Sequence, residues 1–160
     1  MARLDELSAP VRESILTIPL PTFETTPWQP GPPLARRRVA IVTTAGLHQP
    51  GDRPYELHGG RAADFAGDYR IIPGDAPAGE LLMSHLSVNF DRTGFQRDWN
   101  VVFPVDRLRE LAQAGIVGSV AAFHYSFMGA SPPEQLEGPA RRLAGLLRAD
   151  AVDAVLLVPV

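Results

Sequence analysis

The chain has 160 residues, the size of one domain, and its 45% hydrophobic and 21% charged content is that of an ordinary globular protein. A formal charge of −3 supplies no attraction for nucleic acid or an acidic membrane, and the absence of cysteine excludes disulfides, thiolate metal sites and thiol nucleophiles from these residues. No apolar run approaches the roughly 18 residues of a membrane span and the start MARLDELSAPVRES lacks a signal-peptide core, so the expected location is the cytoplasm.

Sixteen prolines are about twice the usual share, and many crowd into residues 19–33, PLPTFETTPWQPGPP. A regular helix or central strand is impossible there, so residues 1–35 are expected to form a Pro-rich extended arm, anchored by Phe23 and Trp28, ahead of an α/β domain spanning 36–160. The first core strand is Val39 to Val42, an apolar run ended by small polar residues and Gly46. From Leu47 to Asp68 the sequence turns rich in Gly, Pro, His and charge, as a long loop would be. Tyr69 to Ile72 then suits a short strand closed by Pro73 and Gly74. Residues 75–103 mix aromatics, charges and turn residues without a period.

The pattern clears at PVDRLRELAQAG, where Val105, Leu108, Leu111 and Ala112 share one helical face between Pro104 and Gly115. Val120 to Tyr125 suit a strand. In SPPEQLEGPARRLAGLLRAD, Ser131 and Glu134 have capping-box spacing, Pro132 takes the first helical position, and Leu136, Ala140, Leu143 and Leu147 form an apolar stripe in a helix that Pro139 is expected to kink or to divide from its first turn. The five apolar residues Ala154 to Val158 look like a strand buried on both faces. A strand, helix, strand order within one sheet requires parallel strands, and the expected fold is α/β: a three-layer, mostly parallel open sheet, Rossmann-like and incomplete at its carboxyl end.

Ligands of such sheets bind beyond the carboxyl ends of the strands. Three segments leave those ends: TTAGLH (43–48), HYSFMG (124–129) and whatever follows VLLVPV. Thr43, Thr44, Gly46 and His48 offer hydroxyls, backbone amides and an imidazole; His124 and Ser126 offer the same from the second loop, with Tyr125 and Phe127 as core. Asn89, Asp91 and Arg92 suit a zwitterion, or equally a solvated turn with its own salt bridge. His48, His58, His85 and His124 match no metal-ligand spacing, so no metal is expected. Neither a glycine-rich nucleotide motif nor a singled-out Ser/His/Asp order is present, and the residues alone reach no chemistry.

NVVFPVDRLRELAQAGIVGSVAAFHYSFMGA (100–130), followed by RLAGLLRADAVDAVLLVPV, resembles the selenoprotein B family of the glycine, sarcosine and betaine reductases and D-proline reductase. VAIVTTAGLH resembles that family's first strand more loosely. The resemblance implies reductive cleavage of a carbon-nitrogen bond next to a carboxylate, in a hetero-oligomer whose partner subunit carries a pyruvoyl group that holds the amine of a small amino acid or betaine-type substrate. It further implies a selenolate or thiolate nucleophile immediately after the segment matching VLLVPV, with His124 as possible support; no catalytic nucleophile and no cofactor lies within the 160 residues. Selenocysteine is encoded by UGA, which ordinary gene calling takes for a stop, and the expectation is a selenocysteine at position 161 of a longer protein. The competing expectations are a short non-catalytic protein that binds an amino acid derivative or caps a partner subunit, and an unrelated α/β enzyme using His124 or Asp91.

Overall fold

The computed structural model describes residues 4–19, 22, 24, 26–56, 68–87, 90–129 and 133–160. Phe23, His58, Asn89 and the Ser131–Pro132 start of the capping box lie outside the described residues. Among the described residues the chain forms strands β1 (Arg38–Thr43), β2 (Leu47–His48), β3 (Tyr69–Pro73), β4 (Leu82–Met83), β5 (Ser119–Val120), β6 (Phe123–Phe127) and β7 (Ala154–Val158), with helices α1 (Ala9–Leu16), α2 (Thr93–Arg97), α3 (Val105–Gln113) and α4 (Pro133–Ala149). The fold is mixed α/β around a mostly parallel five-stranded sheet.

Alternate peptides of β1 face opposite edges. The Arg37 and Val39 carbonyls accept the amides of Ser119 and Ala121, while the Arg38 carbonyl accepts that of Asp153 and the Thr44 amide donates to Val158. So β5 and β6 run along one edge of β1 and β7 along the other, all parallel to it. β3 closes the far side by pairing antiparallel with β6, from Tyr69 opposite Phe127 to Pro73 opposite Phe123. β2 and β4 form a separate two-stranded antiparallel ribbon.

α3 ends as its sequence dictates. In α3 the Gly115 amide bonds the Ala112 carbonyl and the Ile116 amide that of Leu111, with Gly115 at φ +70°; this is the left-handed glycine cap. On one sheet face Val105 and Leu108 of α3 join Val39, Ile41, Trp99, Val102 and Phe103 in a buried cluster. On the other face Leu143 of α4 packs with Tyr125 and Phe127, flanked by Leu136 and Leu147.

Several expectations change. Trp28 is 77% exposed and anchors nothing, and the arm is not extended throughout, because Ala9–Leu16 is helical with no buried residue. Pro139 does not interrupt α4, which runs through it; the proline ring takes the buried stripe position and Ala140 faces solvent. The run Val120 to Tyr125 is not one strand. Between Val39↔Val120 and Val42↔Tyr125 this side of the sheet gains two residues on β1, and Ala121–Ala122 form the break. Nor is β7 buried on both faces: Val155, Leu156 and Leu157 are exposed, Leu157 by 69%.

Candidate functional site

The carboxyl ends of β1, β6 and β7 meet at Thr44. Its amide donates to the Val158 carbonyl (3.1 Å), its carbonyl accepts the Gly129 amide (3.0 Å), and its Oγ1 accepts the Val160 amide (2.8 Å) while lying 3.4 Å from the Val160 oxygen. The threonine therefore ties all three strand ends together. Gly129 is packed into the junction: a Cβ there would stand 3.0 Å from the Val160 oxygen and 3.1 Å from Thr44 Cβ and Oγ1.

A roof segment lies over this junction. Gly46, at φ +66°, turns the chain away from β1, its amide donating to the Phe127 carbonyl and its own carbonyl accepting the Ser84 amide. A Cβ on Gly46 would lie 3.2 Å from the backbone of His85, so the left-handed turn and the close approach both need glycine. The Leu86 amide then reaches Met128 Sδ at 3.4 Å. His85 is buried, its ring against Phe90 at 4.8 Å between centroids, and its carbonyl accepts from the Arg92 guanidinium. Its Nδ1 accepts the Ser87 amide at 3.2 Å, which leaves the proton on an Nε2 that meets no hydrogen-bond partner among the described residues. Burial, aided by the Arg92 charge, pushes its pKa below the ordinary histidine value.

The other residues marked from sequence serve the walls of this arrangement. Thr43 is buried; its Oγ1 donates to the Val102 carbonyl (2.8 Å) and accepts the Ala45 amide (3.2 Å). Ser126 Oγ accepts the Leu47 amide at 2.7 Å, and its carbonyl accepts the Tyr55 hydroxyl at 2.6 Å. Burial holds that phenol protonated, and the Arg70 guanidinium stacks 4.6 Å above its ring. His48 is buried on β2, its Nδ1 3.0 Å from the Gln49 carbonyl. Asp91 is exposed and accepts the Thr93 amide at 2.9 Å, an interaction that lowers its pKa. Thr44 and Gly46 are thus brought to the strand ends, whereas Thr43, His48 and Ser126 lie beneath them and Asp91 stands outside.

His124 sits inside the sheet. The two-residue offset between β5 and β6 deprives the Ile41 amide of a backbone acceptor, and His124 Nδ1 takes the place of a carbonyl at 3.0 Å. That bond fixes the tautomer with hydrogen on Nε2, which is buried, without a hydrogen-bond partner among the described residues, and in a side chain packed edge-on to Phe103 (5.4 Å between centroids). Burial, with help from Arg109, lowers its pKa to about 4, so the ring is neutral throughout the physiological range.

At the opposite end of the sheet, an open groove of about 310 Å3 is lined by Ile71, Phe123, Tyr125, Leu146, Ala149 and Asp150. It lies beside the amino-terminal ends of β6 and β7 and takes no part in the junction at Thr44. Among the described residues no group of three histidine or acidic side chains gathers for a metal, and no helix is long and apolar enough to cross a membrane.

Gly129, Val160 and His85 were not singled out as site residues by sequence. Gly129 stands in the HYSFMG loop, where its glycine was the available signal; nothing in the run SHLSV marks His85 as a lone buried imidazole over the strand ends.

Comparison with known proteins bears on the same residues. The family model described as glycine/sarcosine/betaine reductase selenoprotein B matches residues 12–160. D-proline reductase subunit gamma of Acetoanaerobium sticklandii is 36% identical over 121 residues, 74% of this chain and 47% of that protein. Glycine reductase complex component B subunit gamma of Symbiobacterium thermophilum is 29% identical over 87% of this chain and 32% of its own length. Sarcosine reductase complex component B subunit beta of Peptoclostridium acidaminophilum matches with the same identity and coverage. The chain therefore spans about half the length of the first of these relatives and about a third of the others. No solved structure matches it significantly. With nearly the whole chain covered by one family, and with the strand-end loops within the matched range, the chain belongs to the glycine/sarcosine/betaine reductase selenoprotein B family.

Proposed function

We propose that these residues form the strand-end wall of the active site in a component of a glycine, sarcosine, betaine or D-proline reductase-type complex, with the nucleophile following directly on Val160. The observation that carries this reading is the anchoring of Val160: Thr44 Oγ1 fixes its peptide where β1, β6 and β7 end. Open parallel sheets place their ligand chemistry at that edge. A selenolate or thiolate there forms a bond to the substrate carbon that carries nitrogen. As that bond forms, the carbon-nitrogen bond breaks and its electron pair leaves with the amine, which takes up a proton. A thiolate of a dithiol reductant then attacks the selenium or sulfur, the bond to carbon breaks with its electron pair going to the carbon, which takes up a proton, and the second thiol closes a disulfide that frees the nucleophile.

Within this reading Thr44 and Gly46 border the substrate, and Thr43, His48, Ser126 and His124 hold the bordering loops in place. Asp91 and Arg92 lie along the approach. The partner is a subunit carrying a pyruvoyl group that holds the substrate amine, which makes the working enzyme a hetero-oligomer of the cytoplasm. Further chain completes the sheet into a three-layer, Rossmann-like domain, with α3 and α4 on its two faces.

The test joins gene and protein. The codon after Val160 is read and the full frame is expressed with selenocysteine, cysteine or alanine at position 161. Dithiothreitol-dependent release of amine from glycine, sarcosine, betaine and D-proline is then measured with the pyruvoyl partner present. Activity with selenocysteine, weaker activity with cysteine and none with alanine is the expected series. A UAA or UAG codon, or activity indifferent to position 161, would overturn the reading; calorimetric binding without turnover would favour a non-catalytic amino acid-binding protein.

A further inference from the structure

The ladder between β1 and β7 stops after the Thr44 amide bonds the Val158 carbonyl. Pro159 has no amide to continue it, and β1 turns away at Ala45, which bridges to Met128 instead. The next amide of the β7 strand, that of Val160, is caught by a side chain: the Thr44 hydroxyl, at 2.8 Å. The same hydroxyl faces the Val160 oxygen at 3.4 Å, so both polar groups of that residue are referred to one oxygen. Thr44 is itself held fast, its amide on Val158 and its carbonyl on Gly129. Its branched Cβ limits the rotation of the hydroxyl, and Gly129 leaves no spare volume behind it. Nothing in β-ladder formation requires a hydroxyl here; valine would serve a purely apolar strand end equally well.

We infer that Thr44 is a positioning residue: through the peptide of Val160 it sets the direction in which the backbone leaves the sheet, and with it the place of the side chain that follows. This role rests on the reading above that the nucleophile follows Val160. Reactive groups need placement within about 0.5 Å, and a 1 Å error can cost on the order of a hundredfold in rate. Gly129 supports the role by allowing the close contact.

The full frame, with cysteine at position 161, is prepared as wild type, Thr44→Val, Thr44→Ser and Gly129→Ala. For each, iodoacetamide alkylation at position 161 is followed against pH, and kcat and KM are measured in the assembled complex, with Tm as a control for folding. Thr44→Val is expected to lower kcat roughly tenfold to a hundredfold with KM within about twofold, and to shift the alkylation profile. Thr44→Ser, which keeps the hydroxyl, is expected to recover most of the rate, and Gly129→Ala to fall with Thr44→Val. A Thr44→Val protein with the wild-type profile and kcat overturns the inference while leaving the proposed function standing. A UAA or UAG codon after Val160, or activity unchanged by alanine at position 161, overturns both. Should Thr44→Val fail to fold, a Gly129→Ala protein with wild-type kcat and profile overturns the inference equally.

Discussion

At the level of single residues, the most consequential substitution of side chain for backbone is His124 in the sheet. Its Nδ1 must keep a lone pair for the Ile41 amide, and its burial opposes charge, so its pKa falls to about 4 from an ordinary value near 6.5. Above pH 6.5 neither folded nor unfolded chain carries this proton and the group contributes no pH dependence. Between pH 6.5 and 4 the unfolded chain takes up a proton that the folded chain refuses, so stability falls as the pH falls and levels off below 4. The loss is on the order of 3 kcal/mol. Urea unfolding from pH 7.5 to 4 should show that slope, and His124→Asn, whose Oδ1 replaces the acceptor, should flatten most of it. His124→Phe should instead cost about 1–3 kcal/mol at every pH by orphaning the Ile41 amide. A slope unchanged in His124→Asn would refute the assignment. A second residue-scale case is Ala151. Its amide bonds the Arg148 carbonyl and the Val152 amide that of Leu147, the same cap that Gly115 makes in α3, but Ala151 adopts φ +52° with a Cβ. Ala151→Gly should therefore raise stability by about 0.5–1 kcal/mol, the left-handed penalty relieved less the added freedom of the unfolded chain; a lower unfolding midpoint would contradict this.

Between elements, the break separating β5 from β6 depends on one carboxylate. Asp150 Oδ2 accepts the Ala122 amide (2.8 Å) and the Phe123 amide (3.4 Å), while its Oδ1 meets Arg38 Nη2 at 2.5 Å and Arg38 Nη1 reaches the Val120 carbonyl. Burial alone would raise its pKa, but the guanidinium and the two amides outweigh it and hold the acid below the ordinary range. Asp150→Ala takes the acceptor from the part-buried Arg38 guanidinium and from the more exposed Ala122 and Phe123 amides, and should cost about 1 kcal/mol, with faster amide exchange at Ala122 and Phe123. Exchange unchanged at those two amides would mean that the break is held by something else. This device also explains what could be foreseen. α3 was legible because Pro104 and Gly115 bracket a 3.6-residue apolar period, and β1, β3 and β7 because their apolar runs are short and bounded. The β5–β6 break was hidden, since Val120 to Tyr125 has the composition of one strand and the groups that interrupt it, Asp150 and His124's acceptor role, are set by partners far along the chain. In α4 the stripe falls on Pro139 and not on Ala140, because the proline ring is itself the buried contact. The strand-end loops were legible as a candidate site by topology; the Thr44 to Val160 bond was not, because a threonine after a strand has the same sequence signature whether or not it captures a neighbour.

For the molecule as a whole, the described arm and the sheet differ in how much they bury. α1 has no buried residue, whereas the Leu34 carbonyl accepts the Gly118 amide and Arg37 Nε donates to the Pro32 carbonyl at 2.7 Å. A chain beginning at Gly31 should thus unfold within about 2 °C of the 160-residue chain, while one beginning at Arg38 should lose several degrees; equal losses would place α1 in the folded body. The other side of the sheet is under-covered. β7 pairs with β1 over all five of its residues, so its position is secure, yet Val155, Leu156 and Leu157 remain exposed along a strand whose outer edge pairs with no described strand. Val42 stands opposite Leu157 within the α4-side cluster, but α4 does not reach over Leu157 itself. An apolar edge without a paired strand among the described residues is a template for pairing with another chain. The 160-residue chain should therefore self-associate at micromolar concentrations. Leu157→Arg should shift it toward monomer in sedimentation velocity, while changing the unfolding free energy by less than about 0.5 kcal/mol, because the side chain is already solvated. Leu143→Ala, by contrast, removes a buried contact between α4 and the sheet and should cost about 2–4 kcal/mol without the same shift. If Leu157→Arg destabilised the fold as Leu143→Ala does, β7 would have to be covered by the chain's own residues. If it left association untouched, the seam would lie elsewhere, with the groove at Phe123 and Leu146 the next surface to alter.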